Sequence, residues 1–580
     1  MVNIDMRKDD ISIVLCGAAG QGVQTVETLL TKTLKKSGFF VFATREYMSR
    51  VRGGVNSTTI RVSSKSVRAF VDRIDILIPL SEEALPHLKE RISPQTLIIG
   101  EKRFIEVLPN LKGEKIEIPF EELSQHIGGK IYSNIIALGA IMRLFKADNK
   151  VLHGLLSENF KSKGETIIEN NIKAANKGYE TADDLLKNHI FKGEFEIDRV
   201  PEVANDYIID GRQAIGLGAI AGGCNFACFY PMAPSTGIGT FLAQHALEFG
   251  MIVDQSEDEI SVINKALGAS YAGARVFIST AGGGFSLMSE GISLAGMTEL
   301  PLVVVVGMRP GPATGMPTRT CQEDIDLVLY AGAGFFPKVI FAPGSIEDAF
   351  NLTQKAFNIT QKYHVPVFIL PDQYLIDSYY NINTLNIDAL EINKNLIKTD
   401  PSYERYRFTD SGISPRGVPG YGNGLVDADS HTHNECGEIT EDPIIRKRTV
   451  QKRFKKLGLL RKAAIPPEFI GSKNFKYLII SWGSNYYLIK EALEKLSRDD
   501  VAFLSFKQIY PVHSSVFEYL IKAEVKIAIE QNPTGQFAKL LENETHINMN
   551  HRILKHSGYT FSVEEIFEKL KKIIEGDENI

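Results

Sequence analysis

Hydrophobic and polar positions along this 580-residue chain fall into two kinds of segment. Compact apolar runs, many rich in Val and Ile, occupy 11–15, 75–79, 96–100, 225–230, 275–280, 301–307, 366–370, 477–481, 501–505 and 525–530. Runs this short, bounded by Gly, Pro or polar residues, read as strands buried on both faces. Between them, 23–36, 211–221, 485–496 and 563–574 place apolar residues at helical spacing, and 133–186 is helix-rich. Strands that alternate with helices form parallel sheets covered on both faces, so the expected class is α/β.

Polar stretches divide this pattern. One around 187–201 closes a first α/β unit, 1–190, and a second α/β unit spans 200–385. A connector rich in Gly, Pro, Asp and His covers 386–470, and a third α/β unit covers 471–580. A connector of that length is more often functional than slack. With 44% hydrophobic residues the chain can bury several cores. Its 65 basic and 70 acidic residues leave −5, which argues against a nucleic-acid partner. The longest apolar run, 300–308, falls far short of the roughly 20 residues a spanning helix needs. The opening MVNIDMRKDD has no apolar signal region, so a cytoplasmic protein without a membrane partner is expected. Cys16, Cys224, Cys228, Cys321 and Cys436 are few and odd in number, which fits reduced thiols. The Cys224-x3-Cys228 spacing lacks a four-thiolate cluster pattern.

Four segments of the second unit carry chemistry. Tyr230-Pro-Met-Ala-Pro-Ser-Thr236 is a two-proline turn ending in hydroxyls, and Ser235 or Thr236 is placed to cap a following helix whose amides attract an anion. One helix later comes the acidic run Glu257-Asp258-Glu259, read either as a catalytic acid or as a solvated helix start. The strand-like 275–280 leads into Ala281-Gly282-Gly283-Gly284, and 301–307 leads into Arg309 and a loop through Thr318. Both turns lie at the carboxyl edge of a sheet, where ligands of open α/β folds bind, and Arg309 suits bidentate grip of a carboxylate.

The Tyr230–Thr236 turn paired with Gln255-Ser256-Glu257 resembles the pyrimidine-binding half of a thiamine diphosphate site in 2-oxoacid:ferredoxin oxidoreductases. Residues 309–318 are similar to the substrate loop of the 2-oxoglutarate-type and archaeal broad-specificity members. Gly20-Gln21-Gly22-Val23 with 45–54 looks like the family's γ module fused ahead of the α module, and 530–540 resembles its transketolase-C-like domain. The resemblance covers nearly the whole chain. It implies three α/β domains, the central one of the pyrimidine-binding type. Glu257 then hydrogen-bonds the cofactor's pyrimidine nitrogen, with Glu259 and Asp258 as alternatives, and Pro231 and Gly283 lie beside the cofactor. Ser235, Thr236, Arg309 and Thr318 hold the substrate carboxylate. The family's Ile-Thr is replaced here by Met232-Ala233, so a hydroxyl contact from that slot is lost.

The Gly-Asp-Gly element that anchors Mg²⁺ and the diphosphate is absent, as are the cluster cysteines. The resemblance therefore places Mg²⁺ and a [4Fe-4S] cluster on a separate β subunit, in an (αβ)2 assembly that uses coenzyme A and reduces ferredoxin. A pyruvate or branched-chain 2-oxoacid enzyme, and a non-catalytic assembly subunit, remain open alternatives. In the first unit the glycines follow G-x-x-G-x-G, which argues against a nicotinamide site. Arg45, Arg50 and Arg52 suit coenzyme A phosphates, a partner subunit or an internal pairing. His431, His433 and Cys436 raise zinc as one reading, and an interface or structural role or a part in the substrate or coenzyme A channel as others. No metal site is assigned to the chain.

Overall fold

The structure, a computed structural model, describes residues 9–18, 23–48, 54–188, 195–385, 387 and 391–576. These form three sheets in two compact units. The first unit comprises 1–209 with the later segments 378–384 and 562–564. Its eight-stranded sheet is mixed. Strands Asp10–Ala18, Ile76–Pro79, Leu97–Gly100 and Glu114–Glu117 run parallel, whereas Val55–Ser63 and Phe40–Glu46 join antiparallel because they follow each other directly in the chain. Helix Val23–Lys36 buries Val26, Leu29, Leu30 and Leu34, spaced to line one face of the helix.

Tyr379–Ile382 pairs with Phe40–Glu46 and extends this sheet, although it follows the whole central segment in sequence. It is pinned by Glu27, a fully buried acid that accepts from Tyr379 Oη at 2.5 Å, Arg45 Nε at 2.6 Å and Thr58 Oγ1 at 3.0 Å. Arg45 is thus internally paired and lies over the Tyr379 ring. Residues 19–22 and 49–53, which carry most of the γ-like motif including Arg50 and Arg52, lie outside the described residues.

The second unit holds the other two sheets. In the seven-stranded sheet, Val339–Phe341, Pro366–Ile369, Leu302–Gly307, Val276–Ala281, Phe226–Phe229 and Ile252–Gln255 are parallel, in that order. Their near-continuous apolar runs reflect cover on both faces. The five-stranded sheet is built on Val501–Phe506, Tyr477–Trp482, Val525–Glu530 and His551–Leu554 in parallel, with Glu468–Gly471 antiparallel at one edge. Separate domains at 200–385 and 471–580 were expected. Instead, strand Gln508–Tyr510 crosses over to pair with Val339–Phe341, and one apolar core runs from Phe285 and Phe368 to Trp482 and Phe537.

The connector is less solvated than its composition suggests. Arg405 and Arg416 are buried, and so are Lys452, Arg453 and Lys456 of helix Pro443–Lys462. No helix among the described residues is long and apolar enough to cross a membrane.

Candidate functional site

The carboxyl ends of Phe226–Phe229, Val276–Ala281 and Leu302–Gly307 lie side by side in the second unit, and three of the four segments singled out in the sequence leave from them. Ser235 ties these ends together. Its Oγ donates to Thr280 O at 2.5 Å and accepts from Gly307 N at 3.2 Å, while its carbonyl accepts from Ser279 Oγ at 3.1 Å. One expectation changes here. Ser235 makes no side-chain cap bond to helix Thr236–His245, and its hydroxyl proton is spent within the sheet. Thr236, the first residue of that helix, is half-buried, and Pro231 is exposed.

Arg309 reaches back to the same turn, donating from Nη1 to Ala233 O at 2.7 Å. Burial lowers the pKa of its guanidinium, and Asp324 acts the other way. The loop after Arg309 lies over the glycine turn: a Cβ built on Gly283 comes 3.6 Å from Ala313 O. Thr318 is buried at the loop's far end. Beyond it, Thr320 N bonds Gly558 O at 3.1 Å, and Gln322, fully buried, anchors the segment. Gln322 Nε2 donates to Trp482 O and to Asp372, and its Oε1 accepts from Asn485 Nδ2 and Gln531 N. Burial raises the Asp372 carboxyl to about 6, against the lowering effect of bonds from Ser484, Leu375 N and Gln322.

The acidic run resolves into three different environments. Asp258 is the N-cap of helix Glu259–Tyr271 and accepts from Ser261 N at 2.7 Å. Glu257 stands outside the helix with its side chain 76% exposed. It accepts from Ser261 Oγ at 2.8 Å and Lys265 Nζ at 3.3 Å. The Ser261 bond first, then its own backbone amide and Lys265, pull its carboxyl down to about 2. A buried acid was expected at 257, and the structure puts it on the surface. Glu259 is the buried one. It shares the inner helix face with Val262, Ile263, Ala266, Leu267 and Ser270, and its Oε1 is buried without a hydrogen-bond partner.

Glu259 faces the glycine turn. A Cβ on Gly284 would lie 2.4 Å from Glu259 Oε1 and 2.5 Å from Thr280 Oγ1, so a side chain there would have to displace them. A second buried and unpaired carboxyl oxygen, Asp324 Oδ2, belongs to a side chain at the other end of the same turn, where a Cβ on Gly282 would lie 2.7 Å from Asp324 Oδ1. Burial, reinforced by Glu323 and opposed by Arg309, pushes the Asp324 carboxyl up to about 7. Sequence reasoning missed Asp324, since nothing in its local pattern marks it. Glu259 was findable, because it falls in phase with Val262, Ile263 and Ala266.

The connector motif does not converge on one centre. His431 Nδ1 meets Asp429 Oδ1 at 2.7 Å, whereas His433 is buried with its ring 3.7 Å from that of Tyr406. Glu435 Oε1 accepts from Phe408 N, and Cys436 is exposed. Among the described residues no group of three or more His, Cys, Asp or Glu is placed to hold a metal ion.

Comparison with known proteins identifies the family. Residues 217–452 match the thiamine diphosphate-binding family of pyruvate flavodoxin/ferredoxin oxidoreductases, and 12–181 match the pyruvate ferredoxin/flavodoxin oxidoreductase family. The 2-oxoacid:ferredoxin oxidoreductase subunit alpha of Sulfolobus sp is 29% identical, with 98% of each chain covered. The 2-oxoglutarate synthase subunit KorA of Archaeoglobus fulgidus is 32% identical over 64% of this chain and 99% of its own. Among solved structures, the 2-oxoglutarate:ferredoxin oxidoreductase of Magnetococcus marinus, with 2-oxoglutarate, coenzyme A and succinyl-CoA bound, superposes with a TM-score of 0.91 at 28% identity, covering 98% of this chain and all of that one. The chain belongs to the 2-oxoacid:ferredoxin oxidoreductases, an enzyme family, as a subunit of the alpha type that carries a thiamine diphosphate-binding domain.

Proposed function

We propose that this chain supplies the pyrimidine-side half of a thiamine diphosphate site, with Glu259 in place of Glu257 as the acid that engages the pyrimidine ring. The other half, with Mg²⁺, the diphosphate anchor and a [4Fe-4S] cluster, lies on a β subunit. In an (αβ)2 assembly the pair converts 2-oxoglutarate and coenzyme A to succinyl-CoA and CO2 and reduces ferredoxin. The observation that carries the reading is the buried, unpaired Glu259 Oε1 beside Gly284, where a Cβ would lie 2.4 Å from that oxygen.

The residues present fit the group. A carboxylate left unpaired in the interior costs about 1–3 kcal/mol, which a ring N–H or protonated ring nitrogen would offset. A charge-assisted bond of that kind contributes roughly 1.5–3 kcal/mol, and more where water is excluded. When bound, thiamine diphosphate supplies the nucleophilic carbon and the electron sink that decarboxylation of a 2-oxoacid requires. Glu259 holds the ring in orientation and biases where its proton sits. The glycine turn allows the ring to approach the backbone, and Pro231 shapes the entrance. Arg309, held at one end by Ala233 O, presents its remaining N–H groups to a carboxylate, with Thr236 and Thr318 as further contacts for it. The 2-oxoglutarate preference is supported by the Magnetococcus marinus enzyme, whose structure holds that substrate.

The test is reconstitution with the co-purifying β chain, and acyl-CoA formation on 2-oxoglutarate, pyruvate and 2-oxoisovalerate. Preference for pyruvate or the branched-chain acid would overturn the substrate assignment. Unchanged turnover in Glu259→Gln, with assembly intact, would overturn the site and favour a non-catalytic assembly subunit.

A further inference from the structure

We propose that Asp324 is a positioning residue that sets how much of the Arg309 charge reaches an incoming carboxylate. Protonated, it leaves the guanidinium to the substrate, and ionised, it competes for it. The inference rests on the reading of Arg309 as the carboxylate grip.

Four observations carry it. Asp324 occupies the N-cap position of helix Ile325–Leu329, where Asp usually bonds a backbone amide, yet it makes no cap bond. Its Oδ2 is buried without a partner. The absence of a side chain at Gly282 gives the carboxyl its place, since a Cβ there would lie within 2.7 and 2.8 Å of its two oxygens. Arg309 leaves the strand end that pairs with the glycine turn through Ala281 and Gly307, it is the described cation that favours the ionised Asp324 carboxyl, and its one bond to Ala233 O leaves the guanidinium with spare donors. A carboxyl in this setting ionises near neutrality, at about 7.

The surrounding charges leave the assignment in place. Glu323, the adjacent residue, disfavours ionisation of Asp324 and is itself held by Gly311 N at 3.4 Å and influenced by His556. From helix Gln536–Thr545, Lys539 acts on Asp326, and Gln536 bonds Asp326 N and Glu323 O. Glu259 lies at the opposite end of the glycine turn. Arg309 is therefore the group whose availability changes when the Asp324 proton leaves.

The experiment measures KM and kcat for 2-oxoglutarate on the reconstituted holoenzyme from pH 6 to pH 8.5 at fixed ionic strength. For the wild type, KM is expected to rise about five- to tenfold between pH 6 and pH 8, with an inflection near 7. Asp324→Asn removes that inflection and keeps KM near the value the wild type has at pH 6. Asp324→Ser gives the same flat profile and serves if the amide fails to fold. Arg309→Gln raises KM at every pH and also lacks the inflection. A role confined to structure would shift Tm and leave the inflection in place. If Arg309→Gln leaves KM unchanged, the Arg309 reading falls and this proposal with it. If Arg309→Gln raises KM while the Asp324 variants retain the inflection, this proposal alone is overturned.

Discussion

Two buried acids in the second unit, Glu299 and Glu259, are treated in opposite ways. Glu299 ends helix Ser289–Thr298 in a left-handed conformation at φ 52°. It accepts from Lys452 Nζ at 2.8 Å and Lys456 Nζ at 2.7 Å, and its carbonyl takes Arg405 Nη2 at 3.0 Å. Burial alone would raise its carboxyl, but Lys452 and Lys456 hold it well below the usual range. Glu259, 40 residues earlier in the chain, is as deeply buried and keeps one oxygen unpaired. Removing an ion from water costs several kcal/mol, so an acid buried for architecture is given its counter-ions. An acid buried without them, next to a glycine, is the pattern on which the proposed ligand site rests. The satisfied acid ties the connector to the core, and the unsatisfied one is the acid proposed to engage the pyrimidine ring.

The largest effect should come from the architectural member. Glu299→Gln leaves Lys452 and Lys456 buried without a counter-ion and should cost about 3–5 kcal/mol in denaturant unfolding. Because the folded carboxyl sits below its ordinary value of 4.5, the pair's contribution is complete above pH 4.5 and is lost as pH falls further. The wild-type advantage over Glu299→Gln should therefore shrink on acidification, and a pH-independent difference would break the comparison. The next effect is on rate. Glu259→Gln in the reconstituted enzyme should lower kcat about 10²- to 10³-fold, the range seen when one preorganised electrostatic group is lost. Its Tm should not fall, since no ion pair is broken. Gly284→Ala sharpens the point by pushing a methyl toward Glu259 Oε1. A displacement of about 1 Å should cost on the order of 10²-fold in turnover, together with about 1–3 kcal/mol of stability.

Much of the element pattern of the fold was legible in the sequence. Helices Gly211–Ala221 and Asn485–Leu496 have the bounds that periodicity gives, and strands Leu302–Gly307 and Val525–Glu530 depart by one residue at most. These elements bury a continuous run or one helical face, so their pattern is local. Tyr379–Ile382 and Gln508–Tyr510 escaped because strands of three or four residues carry little pattern, and their pairing partners are far away in sequence. The connector escaped for a different reason. Its lysines and arginines look solvated until Glu299, Ser270 O and Gln361 bond them in three dimensions. Within the site, the phase of Glu259 could be read, whereas Asp324 depends on the approach of Gly282 and Arg309 and has no local signature.

The smallest predicted effect separates the two neighbouring acids most cleanly. Glu257→Gln removes a carboxylate that faces solvent and touches Ser261 and Lys265, one turn and two turns further on. Exposed pairs of this kind contribute little and are screened by salt, so turnover should stay within about twofold of wild type. Lys265 keeps a second partner in Asp254 at 2.9 Å, which limits the consequence for the helix start. The depressed carboxyl at 257 stays ionised at every pH the enzyme meets, so no step in a pH–rate profile should disappear with it. If Glu257→Gln instead abolished turnover while Glu259→Gln retained it, the chemical roles of the exposed and buried acids would be reversed. Buried, unpaired oxygen would then fail as a guide to chemistry in this fold, and assembly with the β subunit would have to enclose Glu257.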